Sequence, residues 1–212
     1  MNAPATLELL STPWPHRFVA GVVCLDFTNT VDHAGTPRER EMLGGYADLL
    51  HWSAARGVIG REAALRLHRL AESDRSQASQ VVHDAWLLRG TIRRTVDGLR
   101  RGVDVGPLVE SFSARLAVAG APALEAETSP GSVRYFLGGA RLTEPLHPVL
   151  WSLAVFLTSD DAARVTECAA DGCNGIFVDR TNSRSRVWCS GAGCGNRARV
   201  RRAYESRTDG RA

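Results

Sequence analysis

The chain has 212 residues, with 26 arginines and no lysine against 23 acids, a formal net charge of +3 and 44% apolar side chains. At this length one large or two small domains fit, and folding buries roughly 70% of the unfolded chain's surface, so disulfide staples are not required. Collagen, coiled coil and wholesale disorder are excluded; the longest apolar run, 149–157, is far short of the ~20 residues of a membrane span, and residues 1–15 lack the pattern of a secretory signal. The expectation is a cytoplasmic protein with no membrane partner.

In chain order, 18–23 is a short apolar run that reads as a strand, and 25–31 has the spacing of a short helix closed by a turn at Asp32–Gly35. Tyr46, Leu49, Leu50 and Ser53 share a helical face within 41–56, as do Ala63, Leu67 and Leu70 within 61–72, after a break at Gly60. The strongest periodicity lies in 78–101, where Val81, Ala85, Leu88, Ile92, Val96 and Leu99 recur at helical steps. Val105, Leu108, Phe112, Leu116 and Ala119 repeat it. Segments 124–128 and 132–137 flank Ser129-Pro130-Gly131 as a β-hairpin, and Pro145 and Pro148 reopen a helix through Thr158, apolar nearly all round and expected to be buried.

Charge divides unevenly along the chain. Residues 1–163 carry a net −2 and residues 164–212 a net +5, and 180–207 holds eight arginines against the single acid Glu205. Such a field suits a polyanion, although an arginine-rich solvated tail has the same composition.

Four of the five cysteines fall in this basic region, as Cys168-x4-Cys173-x15-Cys189-x4-Cys194. Two short pairs separated by an insert grip a tetrahedral metal, because each pair closes a tight turn and the insert lets the two turns face each other. A cytoplasmic chain disfavours disulfides, the spacing differs from redox pairs, and an iron–sulfur cluster suits the equal pairs less well than zinc. One Zn²⁺ per chain is expected, structural because four thiolates leave no open position for water. The insert reads as a strand at 175–178, a turn over 179–185 and a return at 186–188. A helix is expected from Asn196. The fold class is then mainly α with a small β-hairpin component (α+β): a helical N-terminal domain over 1–163, and a treble-clef-like zinc module over 164–212 packed closely against it. Cys24, alone in an apolar run, reads as a buried small side chain.

Trp188-Cys189-Ser190 followed by Cys194-Gly195-Asn196-Arg197 resembles the signature of the CGNR zinc finger family. Residues Cys24–Asp32 resemble the opening motif of the ABATE domain that usually precedes it. The resemblance spans 15–207 and implies a stress-induced transcription regulator, with DNA binding inferred for the family from its basic finger. Two positions depart from it: Gly191 stands where a methionine is expected, and Asn174 where glycine is common. Both put local turn shape in question.

The leading reading is therefore a DNA-binding transcription regulator that contacts duplex DNA through Arg184, Arg186, Arg197, Arg199, Arg201 and Arg202, with Val200 and Tyr204 facing back onto the module. Trp188 and Phe177 are expected to pack beside the metal. The N-terminal domain would serve sensing or dimerisation, which brings in a small-molecule effector and a homodimer as candidate partners. Asp26, Asn29 and Thr30, polar within an apolar stretch, are the candidate ligand-binding residues, with helix capping or a buried hydrogen-bond network explaining them equally well. The alternative is a ligand-sensing or protein- or RNA-interaction protein whose finger is a structural or protein-binding module. The six histidines are scattered and form no nucleophile grouping, so no enzyme is expected.

Overall fold

The computed structural model describes residue 10, residues 12–119, 123–126, 133–136 and 141–209. The first helix, α1 (Val23–Thr28), is apolar almost all round, and Cys24, Leu25 and Phe27 are fully buried. It packs on the long helix α4 (Arg75–Arg101), on α6 (His147–Leu157) and on strand β6 (Ile176–Val178). Asp74 caps α4 by accepting the Gln77 N–H at 2.9 Å, and Gly102, left-handed at φ 65°, ends it. Of the expected face, Val81, Ala85, Leu88, Ile92 and Val96 are buried, each contributing about 1.5–3 kcal/mol for the larger side chains. Helices α2 (Tyr46–Ala55), α3 (Arg61–Ser73) and α5 (Gly106–Ala119) surround this core, with Trp52 of α2 edge-on to Phe27 at 5.1 Å.

Strands occur as short antiparallel pairs: β1 (Val31–Asp32) with β2 (Arg40–Glu41), β3 (Ala123–Ala126) with β4 (Val133–Phe136), and β5 (Val165–Glu167) with β6. The molecule is thus mainly α with a small β part, as the sequence implies. The β3–β4 hairpin lies where expected; its turn, Ser129–Gly131, lies outside the described residues. Among the described residues, no helix is long and apolar enough to cross a membrane.

Four expectations are corrected. Residues 18–22 form no strand, because the Asp26 carboxylate takes the Ala20 N–H at 2.9 Å and Gly21 turns the chain at φ 84°. Only one ladder-like bond survives there, from Val178 N–H to the Ala20 carbonyl at 3.0 Å. Helix α2 starts at Tyr46, not near Glu41, since Arg40–Glu41 pairs with β1 and Gly44-Gly45 breaks the chain before the helix. Helix α6 is buried on one side only: Val155 is 62% exposed. Finally, β6 pairs with the upstream strand β5 instead of with 186–188. That return segment meets the first cysteine turn through a backbone-to-backbone hydrogen bond, from Ala169 N–H to the Val187 carbonyl at 2.9 Å.

Candidate metal centre and its basic helix

The four cysteines come from two turns. Cys168 follows β5, and Cys173 closes a tight turn by donating its N–H to the Ala170 carbonyl at 3.0 Å. Gly172 (φ 69°) and Asn174 (φ 53°) shape that turn in the left-handed region, which glycine and asparagine tolerate best. Asn174 therefore fits where glycine is common. Its side-chain amide also donates to the Ala34 carbonyl, a bond glycine cannot make. The second turn runs from Cys189 to Cys194, with Ser190 Oγ accepting the Gly193 N–H at 3.1 Å. Nothing crowds Gly191, so the second departure also leaves the turn intact.

The sulfurs of Cys168, Cys173, Cys189 and Cys194 all lie within 4.8 Å of one another. Three of the separations are 3.7 Å (Cys173–Cys189), 3.5 Å (Cys189–Cys194) and 3.5 Å (Cys194–Cys173). Zn–S bonds of about 2.3 Å at tetrahedral angles put the sulfurs about 3.8 Å apart, so the arrangement fits one zinc. The chemistry of the donors agrees. Hydrogen bonding from the Cys189 thiol draws Cys173 down to about 5, while that shared bond drives Cys189 up and burial pushes Cys194 up to about 12. Thiolates this close together repel one another, and a divalent ion offsets that repulsion. Cys24 stands apart, fully buried on α1, where burial raises its thiol to about 12.

The surroundings of the sulfurs are equally defined. Cys168 Sγ accepts the Cys189 N–H at 3.3 Å, and Arg197 Nη2 donates to Cys194 Sγ at 3.0 Å, placing positive charge against a centre that four thiolates and one Zn²⁺ make −2. Phe177 is fully buried and Trp188 partly so, as expected of packing residues. Gly195 suits that packing, because a Cβ there would lie 3.1 Å from Trp188 Cδ1, tighter than an ordinary van der Waals contact.

Of the six arginines expected at a nucleic-acid surface, Arg186 turns inward. Its guanidinium donates to the carbonyls of Trp188 (3.0 Å), Val19 (3.1 Å) and Cys189, and lies over the Phe177 ring at 4.2 Å. Its backbone N–H, with Thr181, also satisfies the buried carboxylate of Asp179, whose ionised form the Thr181 hydroxyl favours most. Arg186 is a brace of the module. Arg184 and the remaining four, Arg197, Arg199, Arg201 and Arg202, are exposed. The last four ride on α7 (Asn196–Asp209). Arg201 faces Asp171 at 3.4 Å and Glu205 at 3.8 Å, whereas Arg184 and Arg199 have no side-chain partner among the described residues.

Val200 and Tyr204 correct the helix's expected orientation: they are 61% and 69% exposed, and the small Ala198, at 9%, is the residue that meets the module. The outward face of α7 therefore combines Arg199 with Val200 and Tyr204.

The candidate ligand-binding residues are all engaged within the protein. Asp26 holds Ala20 N–H and Arg56 Nε, each at 2.9 Å. Thr30 Oγ1 donates to the Phe27 carbonyl and accepts from Arg89. Asn29 pairs with Ile176 of β6, and His33 Nδ1 lies 2.6 Å from the Gly172 carbonyl. Arg93 reaches the Asn174 carbonyl and, with Arg100, the Glu167 carboxylate. The opening motif thus seats the cysteine module. Arg93, Arg100 and Glu167 went unnoticed in the sequence; only the Arg93–Asp97 spacing on one helix hinted at an ion-pair network.

A helical domain joined to a four-cysteine site that fits zinc and carries a basic helix defines a zinc-finger protein. The sequence model of the ABATE domain, described as "putative stress-induced transcription regulator", matches residues 21–160, and that of the CGNR zinc finger matches residues 164–207. The chain belongs to the ABATE family and carries a CGNR zinc finger. No curated protein matches it.

Proposed function

We propose that the chain is a transcription regulator that binds duplex DNA through α7, with zinc in a purely structural role. The observation that carries this reading is the outward face of α7. Arg199 has no internal partner among the described residues, Arg202 is exposed on the same side three residues on, and Val200 and Tyr204 are 61% and 69% exposed. Guanidinium forks suit phosphates and guanine edges, and exposed apolar side chains among them suit base edges such as the thymine methyl. The N-terminal domain fixes the direction in which this face points, acts in sensing or dimerisation, and performs no catalysis of its own.

The test is a salt titration of duplex binding by the zinc-loaded protein. Affinity should fall with a log–log slope of roughly −0.9 per phosphate contact. Arg199→Ala should weaken binding to every duplex and flatten the slope by about one unit if it holds phosphate, or lose about 1–3 kcal/mol only on a preferred site if it reads a base. Salt-insensitive binding, or none at low salt, would transfer α7 to a protein partner.

A further inference from the structure

A cavity of about 470 Å³ opens between the segment 12–16, strand β2 and the start of α2. Trp14, His16, Met42, Asp48, His51 and Arg40 line it. Its wall is built rather than accidental. Trp14 meets His51 edge-on at 5.2 Å and His16 at 6.1 Å, and the buried His51 ties the segment down through Nε2 and the Thr12 carbonyl, 2.9 Å apart. The result is an aromatic and thioether surface within the size range of small-ligand sites.

The charges at this surface are not equivalent. Glu41 is already neutralised by Arg89, which grips both its carboxylate oxygens. Asp48, half-buried in the first turn of α2, has no salt-bridge partner among the described residues; burial pushes its carboxyl above the usual range, against the backbone N–H groups of Gly45 and Gly44 and the nearby His51, which favour its ionised form. Arg40 is exposed at the rim, where water screens it. The least solvated carboxylate of the lining therefore shares the cavity with the Trp14 ring, and a cation seated there is drawn by the carboxylate charge and by the ring quadrupole.

We infer that this cavity binds a small ligand carrying an ammonium group on an apolar body, the ammonium on Asp48 and the body against Trp14 and Met42. This site replaces Asp26, Asn29 and Thr30 as the place for a ligand on the N-terminal domain. It is independent of DNA binding.

Calorimetry on the intact zinc-loaded protein in phosphate buffer, free of amine buffers, tests it with 2-phenylethylammonium as the probe. Its neutral and anionic counterparts, 2-phenylethanol and 3-phenylpropanoate, run alongside. The expected result is saturable binding of the ammonium compound, at least tenfold tighter than either counterpart, and a loss of at least tenfold in Asp48→Asn at unchanged zinc content. The comparison among the three compounds needs no variant, so it stands even where Asp48→Asn folds poorly. Equal or tighter binding of the alcohol or the carboxylate, no saturable binding of the ammonium compound, or undiminished binding by a folded Asp48→Asn protein overturns the assignment.

Discussion

The side-chain amide of Asn29 holds both backbone polar groups of Ile176: Nδ2 donates to its carbonyl at 2.8 Å and Oδ1 accepts its N–H at 3.0 Å. One asparagine thus does the work of an adjacent strand, and ties α1 to the strand that runs out of the first cysteine turn. Asn29→Ala leaves both groups of the fully buried Ile176 without these partners and should cost about 1–3 kcal/mol, read from the urea midpoint of the zinc-loaded protein. Asn29→Asp should be no better, because its carboxylate accepts the N–H but repels the carbonyl. Unchanged midpoints in both variants would show that the pairing contributes nothing.

Metal content should be one zinc per chain by elemental analysis, and Cys189→Ser should lose it together with the order of the module. In small metal-stapled units binding supplies folding free energy on the order of 10 kcal/mol. Full zinc retention in Cys189→Ser would remove that cysteine from the ligand set.

Arg186→Ala should destabilise the zinc module by ~2–3 kcal/mol, because carbonyls of Val19, Trp188 and Cys189 lose a shared donor and Phe177 loses the cation above it. Arg186→Lys should rescue little, since an ammonium cannot reproduce the planar fork. Thermal unfolding and zinc retention check both; a stable variant that loses only duplex affinity would restore Arg186 to the nucleic-acid surface.

Gly195→Ala should lower zinc affinity measured by chelator competition. Its Cβ would press on Trp188 at 3.1 Å, next to the ligand Cys194. An affinity equal to that of the wild type would show that the Trp188 ring gives way without cost.

Cys24 supplies a pH test. Its folded thiol, raised by burial to about 12, exceeds the unfolded value of 9.0, so its contribution is complete below pH 9.0 and is lost as pH climbs toward 12. Over that window wild type should lose stability relative to Cys24→Ala by on the order of 1 kcal/mol per pH unit, with zinc content equal in the two proteins. A constant difference across the window would mean that Cys24 titrates normally.

The helices and the cysteine spacing were legible because both are local signals: the face of α4 repeats every three or four residues, and each cysteine pair closes its own turn. What stayed hidden depends on distant partners. The run at 18–22 has the composition of a strand, yet Asp26 and Gly21 bend it. The strand β6 carries no mark that its partner lies upstream of Cys168. Helical spacing groups Val200 with Tyr204 correctly but does not say which side faces the protein, and the small Ala198 decides that by allowing close approach. Asp26, Asn29 and Thr30 stood out as polar residues in an apolar stretch; that their partners are Ala20, Ile176 and Arg89 is tertiary information. The cavity beside Asp48 is assembled from segments some thirty residues apart, none with a motif.

The seat that Asn29, His33, Asn174 and the Arg93–Glu167 pair provide has a geometric consequence for α7. A finger on a flexible tether samples many bearings, and a pair of such fingers accepts half-sites at many separations. Here the bearing of α7 is set by the helical body itself. Two chains joined through that body would hold their basic helices like the points of a locked pair of dividers, and only one phasing along the double helix would let both touch down.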